Sequence, residues 1–412
     1  LAATAPAVTR GFQAVTDPLP GASQGFDPAD ASGAVSAQYV VGAFNTAITV
    51  HDRAGHLLSQ ISMIQFWHDS AQPDKFLYDP RVAYDAANDR WVIVMLGDDA
   101  ASQTNGVLFI AFSASGNPAA GWRRFRVPVD QTGTLDGDIS HLAITAAQIA
   151  VTVRVYSGDT PVNTTIFTMT KSAALAGPNL PITGNVVSFF YDLLPLSSDD
   201  ATLRLAIWES DYLIRTFELR PDGTTANAAA WTAFPQGEFD NPCQQLGAST
   251  APDCTGVPLF GMARGGAMWI AESTAQNFAL IWKISGGKAT TYAIQDSTRA
   301  IVFPSVAVNR RGAALVGYVV MSASIYPSAA YSYIDPAGNI SAVAPLKSGE
   351  APFHRERWGD FTTTVTDPVD DLSFWTLGIY ANTPIGTYDR WATWWGDIQI
   401  TEGPVRRRPV RH

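Results

Sequence analysis

A short phrase recurs along this chain: a small polar or proline-containing turn, an apolar β run, and often an aspartate that closes the turn. It reads Asp79-Pro80-Arg81-Val82-Ala83-Tyr84-Asp85, then Gly137-Asp138-Ile139-Ser140-His141-Leu142-Ala143-Ile144, then Phe303-Pro304-Ser305-Val306-Ala307-Val308-Asn309, then Trp358-Gly359-Asp360-Phe361-Thr362-Thr363-Thr364-Val365. A supersecondary unit repeated at roughly 45 to 60 residues, with no helical stretch between copies, is what a radial array of small antiparallel sheets requires. The sequence therefore predicts an all-β fold, a seven-bladed β-propeller of four-stranded antiparallel blades. Their bounds fall at about 26–70, 76–128, 136–180, 184–235, 256–298, 300–348 and 355–401.

One blade is legible in full. It runs Arg81 to Asp85, turns at Ala86-Ala87-Asn88-Asp89, continues as Arg90-Trp91-Val92-Ile93-Val94-Met95 and Gly106-Val107-Leu108-Phe109-Ile110-Ala111-Phe112, and ends near Trp122-Arg123-Arg124-Phe125. Its apolar runs are nearly continuous, as expected of strands covered on both faces. Residues 1–25 read as an irregular lead-in, 26–401 as a single propeller domain, and 402–412 as a basic tail. Only Ser172-Ala173-Ala174-Leu175 suggests a helical turn. The competing architecture is a pair of β-sandwiches joined by the proline-rich segment 234–258.

Of the 412 residues 46% are hydrophobic and 16% charged, ample material for a core. Lysine occurs only at 75, 171, 283, 288 and 347, and the net charge of −10 repels phosphate backbones, so nucleic acid is excluded as a partner. No apolar run approaches the ~20 residues of a membrane span. Cys243 and Cys254 lie in a segment dense with turn formers, and a disulfide between them would contribute on the order of 2–3 kcal/mol. Such a bridge, with an amino terminus that reads like a mature chain, points to a secreted, extracellular or periplasmic protein.

The last two repeats carry an ordered series: Asp335-Pro336-Ala337-Gly338, Arg357-Trp358-Gly359-Asp360-Phe361, Thr366-Asp367-Pro368-Val369-Asp370-Asp371-Leu372-Ser373-Phe374-Trp375, and Trp391-Ala392-Thr393-Trp394-Trp395-Gly396. It resembles a group of uncharacterised secreted bacterial β-propeller-like proteins whose final repeat reads approximately RWGDY, a few residues, then DPxDDCTFW. The resemblance runs from about Val41 to Ile400. It departs at Leu372, where those proteins commonly have cysteine. It implies the fold and secretion and supplies no catalytic residue.

In a propeller the innermost strand of each blade begins at one mouth of a central channel, so equivalent strand starts converge. The repeats put Asp79, Asp138 and Asp360 in that class, with Arg81, His141, Ser305, Arg357 and Trp358 beside them and Asp30 from the first blade. Three carboxylates on one axis raise one another's pKa unless a cation sits among them, and hard oxygen ligands suit Ca²⁺. Asp79, Asp138 and Asp360 are thus candidate metal ligands. With His141 they are candidate acids and bases of a glycoside hydrolase or, with Arg81, Arg154 and Arg357, of a polysaccharide lyase. Arg81, Arg357 and Trp358 are candidate ligand-binding residues. Taken alone, each aspartate suits the bland role of capping its turn better than ligation.

Asp367, Asp370 and Asp371 lack the glycine and glutamate of an EF-hand and read as a turn. Gly21-Ala22-Ser23-Gln24-Gly25 matches Gly-x-Ser-x-Gly without the flanking strand and helix. His51 and His68 read as turn or surface residues. Trp375, Trp391, Trp394 and Trp395 offer faces for sugars or wedges between sheets, and consecutive Trp394 and Trp395 must point to opposite faces. The expected function is recognition of an extracellular polysaccharide or cell-surface protein without catalysis. The alternative is a carbohydrate-active enzyme at the channel mouth.

Overall fold

Runs such as Trp91-Val92-Ile93-Val94-Met95-Leu96, every residue of which is sealed from solvent, demand cover on both faces of their sheet. The computed structural model supplies it by packing sheets against sheets. It describes residues 2–17, 28–67, 77–98, 106–130, 132–187, 192–220, 222–233, 242–248, 252–254, 259–355 and 357–400. Among these the fold is all-β: five four-stranded sheets and one eight-stranded sheet. In the eight-stranded sheet two meanders meet through a short parallel pairing, Ser197 to Met262 and Ser198 to Ala263. The helices are brief, Met63–Trp67, which the sequence did not announce, and Lys171–Ala176, which covers the expected helical turn.

Each meander opens on a strand that we term its leading strand: Ser32–Val35, Leu77–Asp85, Asp136–Ile144, Leu193–Ser198, Leu259–Arg264, Ala300–Val308 and Thr363–Thr366. Each leading strand touches the next in chain order, and Thr363–Thr366 touches Ser32–Val35 in turn. Neighbouring meanders bury a separate apolar cluster between them. Val41, Phe66, Trp67 and Phe109 fill one interface, Val94, Ile110, Val151 and Phe167 the next.

Two sequence expectations differ from the structure near the amino terminus. Within the segment expected to be irregular, Val8–Thr16 forms a strand, pairing antiparallel with Tyr388–Ile398 as the outer strand of the last sheet. The alternation Val8, Phe12, Ala14 along a stretch otherwise rich in small residues is too weak to mark it. That strand covers His51, expected at the surface but 2% exposed, with its ring 5.0 Å from that of Phe12. Burial carries the His51 imidazole down to about 4, so it is a neutral core residue. The third meander also runs on to Thr183–Val187, beyond the bound of 180 read from the sequence, and the fourth begins at Leu193. His68, the Gly21–Gly25 motif and residues 402–412 lie outside the described residues.

Candidate functional site

Three leading strands share one local defect, and it aims their polar groups. A bulge interrupts the register between Tyr78 and Arg81, between Asp138 and Ser140, and between Val302 and Ser305. The bulged residues Asp79, Ile139 and Phe303 all take the left-handed conformation, φ 54°, and Asp30 takes it at φ 46° ahead of the first leading strand. Aspartate tolerates that region, whereas a β-branched isoleucine is strained in it by about 1–3 kcal/mol. The compensation is visible: the Ile139 N–H donates to Asp79 Oδ2 at 2.8 Å and to Asp138 Oδ1 at 2.9 Å.

Around these bulges the expected residues meet. Asn45 donates to Asp30 Oδ2 at 2.7 Å and accepts from the Asp79 N–H at 3.0 Å. Ser140 Oγ donates to the Asp79 carbonyl. Arg81 reaches across to donate from Nε to the Ser140 carbonyl at 2.7 Å, its guanidinium 3.3 Å from the centre of the Phe361 ring. Arg357 pairs with Asp360, and Arg154 with Asp192 at 3.4 Å. Asp253 bridges backbone-to-backbone with Arg357 and accepts the Trp358 N–H on its carbonyl at 3.1 Å.

The cluster has two levels. Asp30, Asp79, Arg81, His141 and Asp192 are buried. Asp138 and Asp253 reach solvent, and the Arg357 side chain is half exposed. Burial, reinforced by the charges of Asp360 and Asp79, holds Asp30 well above the ordinary carboxylate range, and burial also raises Asp79. Loss of water, then the charge of Asp79, lifts Asp138 to about 6 against the pull of the Ile139 amide, Arg154 and Arg357. Burial likewise lifts Asp360 to about 6, helped by Asp138 and Asp253 and opposed by Arg357. Burial works upward on Asp192 too, but its bond to His141 and the charges of Arg154 and Arg81 carry it below the usual range.

Several expected roles change. Trp358 is fully enclosed and packs edge-on against Phe353 at 4.9 Å, so it cannot offer a face to a ligand; the aromatic run around it wedges sheets together. Trp375, Trp391 and Trp395 are equally buried, whereas Trp394 points the other way and is partly exposed, as consecutive strand residues must. Ser305 is sealed from solvent in a buried hydroxyl chain with Thr362 and Thr364. His141 is 4% exposed, kept neutral by burial, with its Nε2 held toward Asp192 at 3.4 Å, and it has no access for proton exchange with a ligand. Among the described residues no group of three or more His, Cys, Asp or Glu side chains is arranged to hold a metal ion. The cation amid the buried aspartates is the Arg81 guanidinium.

Asp192 and Asp253 escaped the sequence reading. Asp192 precedes a strand that lacks the recurrent phrase. Asp253 adjoins Cys254, whose disulfide with Cys243 is present and closes the loop that lies against Arg357 and Trp358. The carboxylates of Asp367, Asp370 and Asp371 are occupied by their own turn and by arginines: Asp370 accepts from Leu372 and Ser373, Asp367 pairs with Arg53, and Asp371 with Arg264.

No family model matches this chain, and no curated protein matches it. Among solved structures, the lectin SapL1 in complex with alpha methyl fucoside aligns over 80% of this chain and 98% of its own at 10% identity, TM-score 0.44. A mutant of AofleA from Arthrobotrys oligospora aligns over 78% and 88% at 7% identity, TM-score 0.44. Trypanosoma rangeli sialidase aligns over 86% of this chain but 57% of its own, at 8% identity and TM-score 0.41. At that distance the likeness says nothing about a ligand. No helix among the described residues is long and apolar enough to cross a membrane.

Proposed function

We propose that this chain is a seven-bladed β-propeller that binds an extracellular carbohydrate, without transforming it, at the mouth where the leading strands begin. Counting the eight-stranded sheet as two blades gives seven, and the unbroken succession of leading strands from Ser32–Val35 round to Thr363–Thr366 supports spokes over stacked sandwiches. The Cys243–Cys254 disulfide supports an oxidising compartment.

The observation that carries the binding reading is the rim. Asp138 and Asp360, 222 residues apart in sequence, stand within electrostatic reach of each other and of Arg357 above the buried Arg81. Vicinal hydroxyls of a sugar donate to carboxylates and accept from guanidiniums, so a rim of alternating sign satisfies both halves of a diol. With Trp358 buried beside this rim, recognition rests on hydrogen bonding more than on stacking. Calorimetric titration of neutral oligosaccharides into the protein tests this. Asp138→Asn with Asp360→Asn is expected to weaken binding by roughly 10- to 100-fold, and binding unchanged by the pair would overturn the assignment.

One observation favours a second reading. Asp138 and Asp360 both titrate at about 6, so near that pH one is protonated while the other is ionised, the combination a glycosidase needs. Release of reducing ends by the protein, abolished in the same double variant, would replace binding by hydrolysis.

A further inference from the structure

The other ends of the leading strands hold a cleft of their own. Leu77–Asp85, Asp136–Ile144 and Leu193–Ser198 pack in succession, and Asp85, Ile144 and Ser197, with Met262 from the fifth leading strand, line a cavity of about 500 Å³. That volume falls in the range of small-molecule sites, about 300–1,000 Å³. Asp79 and Asp138 stand at the opposite ends of two of the same strands, so the cleft is separate from the site proposed there.

The cleft is lined by a buried lysine with donors to spare. Lys171 is 6% exposed; its ammonium donates to Asp85 Oδ1 at 3.2 Å and has no other partner among the described residues. The second Asp85 oxygen is engaged as well, accepting from Asn88 at 2.7 Å. Ser197 Oγ accepts the Ile144 N–H at 3.1 Å and donates to nothing among the described residues. A buried ammonium with unanswered N–H groups is costly unless something outside the chain accepts from it. The walls around these donors are apolar and mostly small: Ala83, Ala87, Ile144, Ala146 and Met262.

Charge decides which acceptor fits. Lys171 is already matched by Asp85, and Arg264, which reaches Asp199 at 3.6 Å, is matched by Asp371. Asp199 lines the open side of the cleft, its side chain 80% exposed. A carboxylate ligand would meet that aspartate with no unmatched cation to receive it, and an ammonium would meet the donors of Lys171 and Ser197. Hydroxyls would lie unanswered against the alanines and Ile144. A carbonyl with a methyl beside it suits both surfaces, its oxygen accepting from Lys171 and Ser197 while the methyl packs on the apolar wall. We infer that the cleft is a second binding site, for the acetamido group of an N-acetylated sugar whose ring hydroxyls stay at the open side by Asp199.

Methyl NMR of protein labelled at its methionines tests this, with the Met262 signal, identified through Met262→Leu, as a reporter inside the cleft. N-acetylglucosamine is expected to move that signal saturably, and glucose and glucuronate to leave it in place. Lys171→Met removes the donor and is expected to weaken the response roughly tenfold. Ala87→Leu, at an exposed turn position, fills the cleft without touching the core and is expected to do the same, so the test stands even where Lys171→Met fails to fold. A Met262 signal unmoved by N-acetylglucosamine in a folded protein, or moved equally by glucose, would overturn the inference. So would a response in Ala87→Leu as large as in the wild type. A response to glucuronate alone would overturn it too, exposing a carboxylate site on Lys171. Each of these outcomes leaves the reading of the opposite strand ends standing, because calorimetry on Asp138→Asn with Asp360→Asn tests that by itself.

Discussion

The two ends of the leading strands use the same residue type in opposite ways. Beyond the strand ends, Asp370 accepts from two backbone amides and a hydroxyl of its own turn, and Asn309 accepts from Arg311 and Ala313 while donating to the Leu372 carbonyl. Burial works upward on Asp370, yet Ser373 and Leu372 carry it below the ordinary carboxylate range. At the strand starts Asp30, Asp79, Asp138 and Asp360 are all raised, because each loses water and, second, lies close to other carboxylates. A turn aspartate is content with its own loop. An aspartate at a strand start is held there by the rest of the fold at a cost in free energy.

The sharpest way to break this contrast is to remove the cation from the mouth. Arg81→Met leaves Asp30, Asp79, Asp192 and Asp360 without the guanidinium they surround, and should destabilise the protein by about 3–5 kcal/mol at pH 7. Denaturant unfolding at pH 7 and pH 4.5 checks it, with a smaller loss expected at the lower pH, where the carboxylates can protonate. A second, smaller effect is expected at the loop that delivers Asp253. Cys254→Ser should lower stability by about 2–3 kcal/mol and weaken oligosaccharide binding, whereas a loop irrelevant to the mouth would cost stability alone.

The pH dependence of stability distinguishes the two ends by sign. For Asp138 and Asp360 the folded pKa of about 6 lies above the unfolded value, so their contribution to stability is complete below the unfolded pKa and is lost as pH rises through 6. Asp370 and Asp192 are lowered, so their contribution is present at neutral pH and lost only as pH falls below the ordinary range. The melting temperature should therefore fall between pH 5 and pH 7.5, and this slope should flatten in Asp138→Asn with Asp360→Asn. The smallest expected effect is the most local. Asp370→Ala should cost about 1 kcal/mol without altering binding, and Asp138→Ala should do the reverse.

How much of this was legible follows from what each signal is made of. The recurrent phrase marks four leading strands, three of which carry a bulge at the same place, and it contains Asp79, Arg81, Asp138 and Asp360, with Arg357 just ahead of its last copy. The register within the phrase was not legible: Asp79 and Ile139, not Asp79 and Asp138, occupy the same left-handed position. Trp358 and His51 were misjudged because burial depends on partners far along the chain, Phe353 and the Val8–Thr16 strand, which carry no mark of their own. Asp192 and Asp253 reach the mouth through strand packing and a disulfide, and neither route leaves a pattern in the neighbouring residues.

The convergence of distant strand starts is tested most directly by following the Asp360 carboxyl carbon by NMR titration in the wild-type chain and in Asp138→Asn. An apparent pKa of about 6 in the wild type that drops in the variant is the expected result. A value near 3.8 in both, indifferent to residue 138, would mean that these aspartates do not share a mouth.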